Sequence, residues 1–167
     1  MAELALNPAE GLRVLWDPSA VAALARGEGA GGPSWRLEGS LAPRFESVRV
    51  VSGATDAGGL LLLCAVRPQG AEHHDEDLIA AVVVDPAGES KQISEPLIST
   101  EYAADGSVRR LGLELYSDGD DYPVRGAGDA TGFTSTEADG ERRERAELAL
   151  RLDGEAGRAL YEIVRPA

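Results

Sequence analysis

The chain is poor in the side chains on which most covalent and metal chemistry depends. Its 167 residues include one cysteine, Cys64, two adjacent histidines, His73 and His74, and one lysine, Lys91, so fifteen of the sixteen cations are arginine. A lone cysteine excludes a disulfide framework. It lies in the apolar run Leu60-Leu61-Leu62-Leu63-Cys64-Ala65-Val66, which reads as a buried strand where a free thiol acts as a small core hydrophobe. The single lysine sits in a polar turn and offers Schiff-base catalysis little. With both histidines in one acidic segment, no serine or cysteine has a nearby imidazole base in sequence, and no Gly-X-Ser-X-Gly elbow occurs.

Basic charge and long apolar stretches are lacking too. A formal charge of -13 opposes binding to nucleic acid or an anionic membrane surface, since phosphate neutralisation needs a basic patch. The densest basic cluster, Arg142-Arg143-Glu144-Arg145, is interrupted by glutamate and reads as a solvated strand start. Nothing approaches the ~18 apolar residues of a membrane span. The start, Met1 to Pro8, has no basic segment leading into an apolar stretch. A soluble, cytoplasmic protein is the expectation, as one domain over residues 1–167.

What the chain does contain is a series of short apolar segments of strand length. They run over 35–41, 45–51, 59–67, 77–85, 91–101, 108–116, 121–136, 143–153 and 158–165. Asp85-Pro86-Ala87-Gly88, Asp105-Gly106, Asp118-Gly119, Asp139-Gly140 and Asp153-Gly154 punctuate them, and an Asp-Gly pair supplies the positive φ of a tight hairpin turn. The fold predicted is all-β and antiparallel, a barrel or β-sandwich of about nine strands. Leu111, Leu113 and Leu115 share one face, as do Ala146, Leu148, Leu150 and Leu152, so each of these strands covers a core on one side. Leu78 to Val84 is apolar throughout and suits a strand covered on both faces.

Ahead of the strands, Gly11 to Leu15 reads as a short strand. Asp17-Pro18 then reads as an N-cap followed by proline at the first helical position, giving one short helix over 18–26. The glycine-rich stretch 27–34 reads as a flexible connection.

Few residues suggest chemistry. Glu72-His73-His74-Asp75-Glu76-Asp77 has a metal-like composition, but adjacent histidines on an extended segment point opposite ways, and a solvated acidic loop is the expectation. Asp118-Gly119-Asp120-Asp121 lacks the spaced acceptors of a calcium loop. Gly126-Ala127-Gly128-Asp129-Ala130-Thr131-Gly132 lacks the strand-then-helix context of a phosphate loop. No metal and no cofactor are expected. Glu162 alternates with Leu160 and Val164, so an inward face would carry a carboxylate into an apolar space suited to acid or base work; otherwise Tyr161 and Ile163 face inward and Glu162 is solvated.

The stretches Val108-Arg109-Arg110-Leu111-Gly112-Leu113-Glu114-Leu115-Tyr116, Asp121-Tyr122-Pro123-Val124-Arg125-Gly126-Ala127-Gly128 and Leu152-Asp153-Gly154-Glu155-Ala156-Gly157-Arg158-Ala159-Leu160-Tyr161-Glu162 together resemble the C-terminal domain of lipocalin-like β proteins related to hydroxyneurosporene synthase. The resemblance covers roughly residues 77–166. It implies a β interior able to take an apolar, isoprenoid-like or polyketide-like molecule. Fuller members resemble two such modules in tandem, so a cavity between modules would be absent here unless two copies pair as a homodimer.

The leading expectation is binding of a small apolar metabolite, with Tyr116, Tyr122, Arg125 and Tyr161 as ligand contacts. The rival is a cofactor-independent hydratase, isomerase or cyclase in which Glu162 or Asp121 protonates the substrate and Tyr161 assists. A third reading is a non-enzymatic interaction subunit whose apolar strand faces dock on a partner.

Overall fold

The computed structural model describes residues 2–28, 34–73, 76–119 and 122–166. Nine strands form one antiparallel sheet: β4 (Phe45–Thr55), β5 (Leu60–Pro68), β6 (Leu78–Val84), β7 (Ser90–Ile93), β8 (Glu95–Tyr102), β9 (Val108–Tyr116), β10 (Val124–Ala138), β11 (Glu141–Leu152) and β12 (Glu155–Pro166). Their order is β7-β6-β5-β4-β12-β11-β10-β9-β8, and the sheet curls until β6 meets β8. The result is a nearly closed barrel, which resolves the choice between barrel and sandwich left open by periodicity. The predicted all-β antiparallel class stands.

Three strands form a second, smaller sheet: β1 (Leu4–Ala9), β2 (Leu12–Trp16) and β3 (Trp35–Glu38). The segment at 35–41 therefore belongs to this sheet, and the segment at 91–101 divides at Ser94 into β7 and β8. The predicted short helix is present as α1 (Pro18–Ala22) continued by a 3-10 turn (Ala23–Arg26). Asp17 caps it by accepting from the Ser19 amide at 3.0 Å, and Gly27 ends it at φ 74°. Residues 29–33 of the glycine-rich stretch lie outside the described residues.

Hairpin chemistry follows the sequence closely. Asp139 and Gly140 have φ 54° and 76°, and Asp153 and Gly154 have φ 50° and 85°. Two consecutive positive φ values mark turns whose twist matches that of the flanking strands.

Both faces of β4, β5, β6 and β12 are covered. The inner face packs Val51, Leu61, Leu63 and Ala81 against Leu111, Leu113, Leu115, Leu148, Leu150 and Tyr161. On the outer face, Val48, Val50, Leu62, Cys64 and Val82 lie under Leu12, Val14, Trp16 and Trp35 of the small sheet, with Val21 and Leu24 of the helical turn. This covering explains why β5 and β6 read as continuous apolar runs. Cys64 is wholly buried, and burial pushes its thiol up to about 12. No helix among the described residues is long and apolar enough to cross a membrane.

Candidate functional site

β12 carries the residues that divide the two faces. Tyr161 pairs with Ala146 of β11 and Val51 of β4, so it points into the barrel, while Glu162 points outward under the small sheet. Both are buried, at 1% and 2% exposure. The sequence offered a choice between a dry Tyr161 and a dry Glu162; the second sheet makes both true. Adjacent strand residues face opposite ways, so Tyr161 cannot assist Glu162 at one reacting centre.

Inside the barrel, polar groups gather around the Tyr161 hydroxyl. It accepts from Arg49 Nη1 at 3.1 Å and lies 2.9 Å from Thr100 Oγ1, reaching across the interior from β12 to β4 and β8. Arg49 also donates through Nη2 to Asp77 Oδ2 at 2.6 Å, and Arg67 donates through Nε to Asp77 Oδ1 at 2.9 Å. Burial works against the Arg49 charge, yet Tyr161 and Asp77 hold its guanidinium above the ordinary value. The hydrogen bond to Asp77 likewise raises Arg67. Tyr102 of β8 stands beside this group: burial raises its phenol, Tyr161 adds to that, and Arg49 and Arg165 oppose it. Arg165 in turn donates to Glu144.

Asp77 corrects the view of its segment as a solvated acidic loop. Its side chain is only 1% exposed, because Arg49 and Arg67 on two other strands meet it. Of the rest of the segment, Glu76 accepts from the Glu72 and His73 amides at 2.7 and 2.9 Å. His74 and Asp75 lie outside the described residues, and among those described no three metal-ligating side chains converge.

On the outer face, Trp35 Nε1 donates to Glu162 Oε1 at 2.9 Å, and Arg143 Nη1 lies 3.9 Å from Glu162 Oε2. Arg143 also stands over the Trp35 ring, 5.4 Å from its centroid. A groove of about 280 Å³ lies above them, walled by Trp35, Leu41, Val48, Glu141 and Arg143.

The remaining expected contacts lie elsewhere. Arg125 pairs in register with Glu114, and their side chains approach to 4.0 Å. Tyr116 donates to Glu114 at 3.1 Å, which raises its phenol. These three meet on the outer face of β9 and β10, opposite the inward leucines of β9. Tyr122 is 84% exposed and belongs to neither interior. Asp121, the other candidate acid, lies outside the described residues. Arg49, Asp77, Arg67, Thr100 and Tyr102 were missed by sequence reasoning. Their signal was faint: the row of Arg49 reads Ser47, Arg49, Val51, Gly53 and that of Thr100 reads Pro96, Ile98, Thr100, Tyr102, both too mixed to mark an inward face.

Comparison with solved structures identifies the architecture. The barrel-type fold is shared with two solved structures. Kievitone hydratase from Nectria haematococca is similar over 99% of this chain and 65% of its own, with a TM-score of 0.55 and 11% identity. A Nitrosomonas europaea protein provisionally described as AttH is similar over 96% of this chain and 63% of its own, with a TM-score of 0.51 and 15% identity. The chain thus spans less than two thirds of either. No family model and no curated protein sequence matches the chain. The relationship to hydroxyneurosporene synthase read from short motifs finds support only at the level of this barrel-type fold.

Proposed function

We propose that this protein binds a small apolar molecule at the unclosed seam of its barrel, with the polar end of the ligand at Tyr161, Thr100 and Arg49. The observation that carries this reading is the pattern of exposure along the inner face. Leu61, Leu63, Leu111, Leu113 and Leu150 fill the interior and are buried to 3% exposure or less. Ile79 and Val83 of β6 and Ile98 and Thr100 of β8 face the same interior but are only half-buried. β7 and β8 are the two edges of the sheet and do not pair. An apolar strip left partly open, ending at a few placed hydrogen-bonding groups, has the lining chemistry of small-molecule sites, apolar side chains with a few convergent polar groups.

The site therefore differs from an empty central cavity: the ligand would lie in the seam. Native mass spectrometry of gently purified protein, followed by solvent extraction, tests the reading. The expected result is an added mass of a few hundred daltons, released as an apolar compound and lost from Ile98→Trp, which fills the seam. A ligand retained equally by Ile98→Trp would sink the seam assignment.

A second reading, a cofactor-independent hydratase, isomerase or cyclase, is favoured by one observation. Glu162 is a buried carboxylate beneath the groove at Trp35 and Arg143, in a fold shared with a hydratase. Glu162→Gln separates the two: turnover lost with affinity retained supports the enzyme, and unchanged turnover removes Glu162 from the chemistry.

A further inference from the structure

One strand of the barrel runs on past its neighbour. Among the described residues β10 pairs with β9 only as far as Asp129, opposite Arg110, and a bulge between Ala130 and Gly132, a device that bends a strand and ends pairing, follows at once. Over 132–138 it pairs with β11 alone. Asp139-Gly140 is a two-residue turn, so Ala138 and Glu141 exchange the first hydrogen bonds of the hairpin and every second residue repeats them. The N–H and C=O groups of Phe133, Ser135 and Glu137 therefore point away from β11. Open edges are usually blunted by shortness, charge or proline. The other edges here are: β7 and β3 have four residues each, β1 carries Pro8, and β8 carries Glu95, Pro96 and Glu101 and meets β6. Gly132-Phe133-Thr134-Ser135-Thr136 has neither charge nor proline, and residues 134–138 are exposed. Glu137, the one charge of the overhang, stands opposite Arg142 of its own β11.

We infer that this edge is an interface between two copies of the chain, their β10 strands antiparallel about a two-fold axis at Ser135. The segment complements itself in that register, which selects a second copy over an unrelated strand. Ser135 exchanges hydrogen bonds with the partner's Ser135, and Phe133 with the partner's Glu137, so each of the open backbone groups finds a mate. Thr134 meets the partner's Thr136, a favourable cross-strand pair, and no like charges stand opposite one another. An isologous contact of this kind closes at two copies. It buries few side chains and belongs to the small, transient class of interfaces. The formal charge of -13 on each copy opposes approach at long range, so the contact tightens as salt screens it.

Sedimentation velocity of the full chain, from about 5 to about 200 µM and at about 0.05 and about 0.5 M salt, reads the association. The mass should rise toward twice that of one chain, and at lower concentration in the higher salt. Ser135→Pro removes an N–H that points away from β11, a place where an edge strand accepts proline. It should stay monomeric at every concentration with its far-ultraviolet signal unchanged. Ser135→Cys should form a disulfide-linked dimer under mild oxidation, because the axis brings the two Cα atoms to about 5.5 Å, and the native Cys64 is buried and does not compete. A chain that is monomeric throughout would overturn the proposal. A dimer that persists in Ser135→Pro, or one whose Ser135→Cys form does not cross-link, would overturn it equally by placing the interface elsewhere. If Ser135→Pro does not fold, the cross-link alone decides.

Discussion

Burial makes Cys64 and Glu162 report on opposite kinds of risk. The Cys64 thiol is pushed from 9.0 to about 12 by desolvation. Above its ordinary value the unfolded chain loses this proton while the folded chain keeps it. The thiol's contribution is thus complete below about pH 9 and falls as pH rises toward 12, with the folded form the better proton binder throughout. Two results should follow. The native thiol should resist a disulfide reagent until the protein unfolds, and Cys64→Ala should flatten the loss of urea stability between neutral pH and about pH 10. Glu162→Leu removes the acceptor for Trp35 Nε1 and the partner of Arg143. Breaking a fully buried pair costs about 3–5 kcal/mol, but the Arg143 side chain is 41% exposed and can turn to water. The orphaned indole N–H then sets the scale, about 1–3 kcal/mol, read as a lower urea midpoint.

At the scale of elements, close approach between β12 and β4 fixes what β12 can carry. A Cβ added at Gly157 would lie 2.1 Å from the Ala54 carbonyl oxygen and 2.7 Å from Thr55 Cα. Both are backbone atoms, so relief requires the strands to part. Gly157→Ala should cost about 1–3 kcal/mol and lower the thermal midpoint, whereas at Gly132 the nearest atom is Glu147 Oε2 at 3.1 Å, the end of a flexible side chain, and alanine should be tolerated. The sequence showed the hairpins around such positions because Asp-Gly turns and alternating leucines are local signals. It did not show the contact itself, nor Asp77, whose burial depends on arginines from β4 and β5. β1 also escaped notice, since Leu4 and Leu6 are too few to set a period and Asn7-Pro8 reads as a break. Glu162 stayed ambiguous for a related reason: alternation assigns residues to faces, but only the covering sheet decides how many faces are dry.

For the whole molecule, the two sheets stabilise one another through their tryptophans. Trp16 Nε1 donates to Ser52 Oγ at 2.9 Å, and Trp35 Nε1 donates to Glu162, so each indole of the small sheet ends on a buried polar atom of the barrel. Without that sheet, Val48, Val50, Leu60, Leu62, Cys64, Val66 and Val82 would form a continuous apolar outer surface, far from the scattered hydrophobics a soluble surface tolerates. Neither part has a complete core alone: the small sheet has one apolar face and no layer of its own to bury it. We therefore propose that the chain unfolds as a single cooperative unit. Tryptophan fluorescence, which reports only the small sheet because Trp16 and Trp35 are the two tryptophans, should follow urea unfolding with the same midpoint as the far-ultraviolet signal of the barrel strands. An earlier fluorescence transition would mean that the small sheet undocks while the barrel persists. The barrel would then have to tolerate its bare valine and leucine face in water, and the outer face of β4, β5 and β6 would become the site of aggregation.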